Sequence, residues 1–180
     1  MGQSKEDMTA LARDEFVADA LAKYEAPLVG YATGIVRDHE RARDVVQDTF
    51  IRLYQQEIEK VRKGIKTWLY TVCRNRALDV LRKEGRVIVT DEDGFAKWEA
   101  EGLSPRAMTD LEERVDQVTA CLDKLSANQR EVIRLKFQQG MSYKEISKVT
   151  GLTSGNVGFL IHTGLKRMRS LLPDDLLENI

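Results

Sequence analysis

The sequence is poor in the residues that interrupt helices and in those that staple small folds. Only 3 of its 180 residues are Pro and 2 are Cys. Scarce Pro, with charged residues at 32% against roughly 25% in ordinary soluble domains, favours helices with solvated faces. Cys73 and Cys121 sit inside apolar patterns with no CxxC partner, which argues against a disulfide framework or a structural zinc site. No apolar run reaches the length of a membrane span, and the opening MGQSKEDMTA carries no apolar signal segment. A soluble, cytoplasmic protein without membrane insertion is expected. Neither sign of charge dominates: 28 Lys+Arg stand against 29 Asp+Glu, a net charge of -1. A uniformly basic nucleic-acid coat is excluded, though a local basic patch is not. There is no phosphate-cradling Gly loop and no metal-ligand cluster, and His39 and His162 have no evident partners. No catalytic residue, metal or cofactor is expected. What remains is a 42% hydrophobic chain, able to build a core.

Charge divides the chain. Residues 1–90 hold 16 basic and 14 acidic side chains, residues 91–110 hold 2 and 6, and residues 111–180 hold 10 and 9. The middle piece has two Gly, a Pro and no helical apolar stripe, so it reads as an acidic linker. Its Phe95 and Trp98 are unusual in a bare linker and suggest docking. The first part reads as helices. Leu11, Phe16, Leu21, Leu28, Tyr31 and Ile35 recur at helical spacing, and Pro27 predicts a break between two helices. A third helix spans about 38–56, with Ala42, Val46, Phe50 and Leu53 on its apolar side and Glu40, Asp44, Gln47, Asp48 and Gln55 opposite. A fourth spans about 65–83 on Ile65, Trp68, Leu69, Val72, Cys73, Val80 and Leu81.

The last part is punctuated more clearly. A helix on Leu111, Val115, Val118, Leu122 and Leu125 precedes Ser126-Ala-Asn-Gln129, a capping box. Gly140 stands where the next helix would end. A second capping box, Ser142-Tyr-Lys-Glu145, opens a short helix stopping at Gly151. Another starts near Ser154 on Val157, Ile161, Leu165, Met168 and Leu172. A short helix, a Gly turn and a second helix is the helix-turn-helix arrangement. Ser147, Gly151 and Val157 fill its small-contact, turn and inward-facing roles, and the second helix of such a unit enters the major groove. The bland alternative is a structural helical hairpin.

Two further stretches carry chemistry. From Lys60 to Arg86 nine basic residues face two acidic ones. Phosphates attract such cations, and aromatics among them can stack on unpaired bases. Spacing assigns Trp68 to the core and Tyr70 to the basic face. The acidic stripe Glu40, Asp44, Gln47 and Asp48 could complement a basic partner, although a plain solvated face explains it as simply.

DVVQDTFIRLYQQ, TWLYTVCRNRALDVLRK and LDKLSANQREVIRLKFQQGMSYKEISKVTGLTSGNV resemble, in order and spacing, the successive signatures of the extracytoplasmic-function (ECF) sigma factors of bacterial RNA polymerase. The resemblance covers most of residues 10–172. It implies an all-α fold of two small helical domains joined by a flexible acidic linker, with boundaries at 1–86, 87–110 and 111–180. It implies core RNA polymerase and promoter DNA as partners, and admits an anti-sigma factor as a third. Asp44, Gln47 and Asp48 match the docking surface for the polymerase clamp helices. Lys63, Lys66, Tyr70, Arg74, Asn75, Asp79, Arg82 and Lys83 fall on the minus-ten face, and Gln55 to Lys63 on the loop that captures a flipped base. The 24-residue linker, reaching about 80 Å when extended, could bridge the two promoter elements. On the second helix of the helix-turn-helix, Ser154, Asn156, Phe159, His162, Thr163, Lys166 and Arg167 are the candidates for minus-thirty-five DNA.

One stretch departs from the family pattern. Basic residues commonly follow the Val of the recognition helix, but here the run is Val157-Gly158-Phe159-Leu160-Ile161-His162-Thr163-Gly164. Which residues read bases stays open, as does whether Gly155, Gly158 and Gly164 soften the helix or admit close approach to DNA. A stand-alone helix-turn-helix regulator is the alternative function. It leaves the basic–aromatic helix and the acidic stripe without a role.

Overall fold

The computed structural model describes residues 3–83 and 115–172. The contacts divide the chain into two units, 1–88 and 89–180, and each is taken by itself. The linker expected over 87–110, with Phe95 and Trp98, and the stripe residue Leu111 lie outside the described residues. Among the described residues all regular structure is helical, and no helix is long and apolar enough to cross a membrane.

In the first unit α1 (Gln3–Val36), α2 (His39–Tyr54) and α4 (Ile65–Lys83) pack on one another, and a short α3 (Ile58–Val61) with a 3-10 turn (Arg62–Gly64) joins the last two. The break predicted at Pro27 does not occur: α1 runs straight through it. Pro27 lies on the exposed side. Its ring removes one donor there, and buried Ala20 before it and Leu28, Tyr31 and Ala32 after it hold the helix on both sides. Leu11 and Leu21, placed on the apolar stripe by spacing, are solvent-exposed instead. The core is Leu28, Tyr31, Ala32 and Val36 of α1, Val45, Val46, Phe50 and Leu53 of α2, and Leu69, Tyr70, Cys73, Ala77 and Leu81 of α4.

The α1–α2 corner takes two residues. Arg37 adopts a left-handed φ of 57° and its N–H donates to Thr33 O at 2.8 Å, ending α1 as a glycine would. Asp38 then caps α2, accepting from Arg41 N–H at 3.1 Å.

In the second unit α5 (residues 115–123), α6 (Ala127–Phe137), α7 (Tyr143–Thr150) and α8 (Ser154–Arg169) enclose Leu122, Val132, Ile133, Leu135, Met141, Ile146, Val149, Val157, Ile161 and Met168. Both capping boxes form, Ser126 with Gln129 and Ser142 with Glu145. Gly140 and Gly151 take positive φ, 61° and 76°, which L side chains rarely adopt. Arg130, buried at the start of α6, donates to the carbonyls of Leu122 (3.0 Å), Asp123 (2.7 Å) and Leu125 (3.3 Å). It thereby binds carbonyls at and just after the end of α5, where the helix supplies few donors, the Leu122 carbonyl also taking Leu125 N–H at 3.1 Å. Leu165 does not lie on the buried stripe of α8. That place belongs to Gly164, which presses against α6, and Leu165 is exposed.

Candidate nucleic-acid interface

The helix-turn-helix is built from local bonds. Gly151 ends α7 in the left-handed conformation, its N–H donating to Ser147 O at 2.9 Å. The Ser147 hydroxyl donates to Leu152 O at 2.6 Å, crossing the turn. Thr153 caps α8 by accepting from Asn156 N–H at 3.2 Å. Val157, Ile161, Gly164 and Met168 face inward. At 100° per residue the opposite face presents Gly155, Phe159, His162 and Lys166, and all four are exposed. Ser154, Asn156 and Arg167 are exposed as well. Phe159 leaves 64% of its surface in solvent, a large aromatic area on an otherwise neutral half-helix.

Thr163 departs from that face. It is half-buried, its hydroxyl lies 2.9 Å from Phe159 O, and it accepts from Gln129 Nε2 at 3.1 Å. The same Gln129 side chain accepts from Ser126 N–H. One amide therefore caps α6 and ties it to α8, and the Thr163 hydroxyl is occupied within the fold. Of the three glycines of α8, Gly155 has nothing within 4 Å of an added Cβ. Gly158 lies against the Tyr143 ring, 3.4 Å from Cε2, and Gly164 against Ile133, 2.7 Å from Cδ1. The Gly164 approach is thus to α6 and not to DNA.

In the first unit the docking candidates share the polar face of α2. Asp44 and Gln47 are exposed and Asp48 is half-exposed. Asp48 is already engaged: its Oδ2 accepts from Arg76 Nε at 2.6 Å and pairs with Nη2. The pairing joins α2 to α4 across 28 residues of sequence, a relation no local pattern announces.

Along α4, Asn75, Asp79 and Arg82 recur on one face by helical period. Asn75 and Arg82 are exposed, and Arg82 Nη1 meets Asp79 Oδ1 at 3.1 Å. Lys63 and Lys83 are exposed, and Lys66 and Arg74 are half-buried. Tyr70 corrects the expectation. It is fully buried, its ring centroid 5.1 Å from that of Tyr31, and burial pushes its phenol well above the usual range. It stands about 200° around α4 from Trp68, which is half-buried on the side of Asn75 and Asp79. The two aromatics exchange the places that spacing gave them. Adding the angle of each residue to that of Asn75 would have found this.

Two cation–π contacts reach the segment after α2. Arg13 lies over the Tyr54 ring, at the end of α2, at 5.9 Å and Arg62 over the Phe16 ring at 5.6 Å, so the second ties the 55–63 region to α1.

Two family models match these units. "Sigma-70 region 2" covers residues 21–87 and "Sigma-70, region 4" covers residues 116–168. The chain belongs to the ECF RNA polymerase sigma factors. It is 30% identical over 166 residues to the ECF RNA polymerase sigma factor SigL of Mycobacterium tuberculosis (strain H37Rv), covering 84% of this chain and 86% of that one. It is 29% identical over 164 residues to SigX of Bacillus subtilis (strain 168), covering 87% and 84%. Among solved structures it resembles the sigma factor RpoE of Bartonella quintana, determined in complex with the anti-sigma factor NepR. The TM-score is 0.62 at 25% identity, over 86% of this chain and 94% of that one. The region-2 match takes in the second half of α1 with α2 and α4, and the region-4 match takes in α6, α7 and most of α8.

Proposed function

We propose that this sigma factor directs promoter-specific initiation by binding core RNA polymerase and promoter DNA in the cytoplasm, with no catalysis of its own. The single observation that carries the reading is the coexistence of two surfaces in one chain. One is the exposed face of α8, and the other is the pair of polar faces on α2 and α4. A stand-alone regulator would use the first and leave the second idle.

The exposed faces support a division of labour. The α2 face with Asp44, Gln47 and Asp48 docks on a basic polymerase surface. The face of α4 with Asn75, Asp79 and Arg82, flanked by Lys63, Lys66, Arg74 and Lys83, handles the minus-ten element, and Trp68 replaces Tyr70 as its aromatic. Residues Gln55 to Lys63 form the base-capturing loop. Phe159, His162, Ser154 and Asn156 face the minus-thirty-five bases, with Lys166 and Arg167 on phosphates. Thr163 braces α8 and is not a reader. Domains at 1–86 and 111–180 flank a linker at 87–110. An anti-sigma factor is a further partner, as one is for the Bartonella relative.

The experiment is transcription with purified core polymerase on DNA recovered from a random pool by the assembled holoenzyme. Specific transcripts that appear only when the chain is added support the reading. Tight sequence-specific binding by the chain alone, without initiation on adding core, would establish the stand-alone regulator.

A further inference from the structure

Asp48 of α2 is held by Arg76 of α4. Its Oδ2 takes both Arg76 Nε, at 2.6 Å, and Nη2. The hydrogen bond from Arg76 falls on Oδ2, and the Asp48 side chain is 40% exposed. A charge-assisted hydrogen bond from a guanidinium is stronger than a neutral one and holds the carboxylate to its partner. Arg76 reaches from α4, is itself only 29% exposed, and stands directly after Asn75 on the exposed face. Asp44, one turn before Asp48, is exposed and has no such brace.

We infer that Arg76 is a positioning residue for polymerase docking: it holds the part-exposed Asp48 carboxylate in place to meet a cation of the polymerase surface and fixes α4 to the docked helix. This rests on the proposed docking role of α2. The pair therefore has two tasks. It pre-sets the rotamer of a docking side chain, lowering the entropy lost on binding. It also gives the face carrying Asn75 and Asp79 a fixed place relative to the docked helix.

Electrostatics alone makes the opposite prediction, which allows a test. Arg76 is a cation beside a surface that binds a basic partner. Removing it leaves α2 more negative, and complementary charge favours association. If Arg76 were only a neighbouring charge, Arg76→Met would strengthen core binding or leave it unchanged. If it holds Asp48 in place, Arg76→Met weakens binding although the surface has become more acidic.

The test measures affinity of the full-length chain for purified bacterial core polymerase, for wild type, Arg76→Met, Arg76→Lys, Asp48→Asn and the double variant Asp48→Asn, Arg76→Met. Circular dichroism and thermal midpoints are recorded for each. Arg76→Met is expected to lose about tenfold in affinity, and Arg76→Lys less, since it keeps the charge but not the planar fork. The double variant should bind no worse than Asp48→Asn alone, because the two residues act as one unit. Unchanged or tighter binding by Arg76→Met, or additive losses in the double variant, overturns the inference. If Arg76→Met fails to fold, Arg76→Lys decides: affinity equal to wild type rejects the positioning role. Failure of wild type to bind core would instead reject the docking reading itself.

Discussion

Gly164 of α8 approaches Ile133 of α6 so closely that a methyl group added at Gly164 would stand 2.7 Å from Ile133 Cδ1. Ile133 is 5% exposed, so its end carbon has little room to swing aside. The contact sets how near the recognition helix lies to the rest of its unit. Gly164→Ala gains about 1 kcal/mol of helix propensity and incurs about 1–3 kcal/mol of overpacking. Net destabilisation is expected, and Ile133→Val, which removes the opposed carbon, should recover part of it. Chemical denaturation of the three variants checks this. Gly155→Ala, which meets open space, should be neutral or stabilising by up to about 1 kcal/mol.

The buried ring of Tyr70 gives the second expectation. It packs on Tyr31 in the first core, so Tyr70→Ala should cost about 3–5 kcal/mol. Any effect on promoter opening should follow from lost fold. Trp68→Ala should instead keep most stability and reduce opening more than core binding. Permanganate footprinting on duplex and pre-opened templates distinguishes the two. A Trp68→Ala variant that fails equally on both templates has no role in opening.

Much of this fold could be read from the chain, because its signals are local. The capping boxes at Ser126 and Ser142, the turn at Gly151 and the helix over 65–83 each depend on residues within one or two turns. What could not be read depends on tertiary partners. Pro27 predicts a break only if its neighbours lack a core to hold them. Leu165 fits an apolar period as well as Gly164 does, until Ile133 shows that the position needs no side chain. Of the candidate site, the α8 face emerged except for Thr163, whose bond to Gln129 crosses 34 residues. On α4 Leu69, Cys73 and Leu81 are buried as the period predicts, while Tyr70 and Trp68, two residues apart, lie on the opposite sides from those expected.

Cys73 supplies a pH dependence. Burial pushes its thiol up to about 12, against a side-chain hydrogen bond with Thr49 that pulls it down. In the unfolded chain a thiol titrates near 8.5. The folded form therefore keeps its proton where the unfolded form has lost it. Stability from this site is complete below about pH 8.5 and declines as pH rises towards 12, with a limiting slope of about 1.4 kcal/mol per pH unit. Urea unfolding at pH 8, 9 and 10 should show the decline, and Cys73→Ala should flatten it. Thiol reagents should label Cys73 only as fast as the unit opens.

Docking is best tested at Asp44. Asp48→Lys would confuse two effects, since it abolishes the bond to Arg76 and sets two cations together. Asp44 is exposed and free of that bond. Asp44→Lys should leave stability within about 0.5 kcal/mol and weaken core binding through like-charge contact. Wild-type affinity in a folded Asp44→Lys protein would remove α2 from the docking surface.

The recognition helix separates base reading from phosphate binding along its length. Residues 150–165 contain no Asp, Glu, Lys or Arg, and the cations Lys166, Arg167 and Arg169 gather at its end. Phe159 is 64% exposed, so its truncation disturbs little packing and its effect on DNA can be read cleanly. An aromatic edge in the major groove discriminates by apolar contact with a thymine methyl, and a lysine on phosphate does not discriminate. Phe159→Ala should therefore change the preferred base at one position of the upstream element when holoenzyme selects from randomised promoters. Lys166→Ala should weaken every sequence alike and reduce the slope of log affinity against log salt by about 1. An unchanged motif with Phe159→Ala would transfer specificity to Ser154, Asn156 and His162, the polar side chains exposed on α8 before its cations begin.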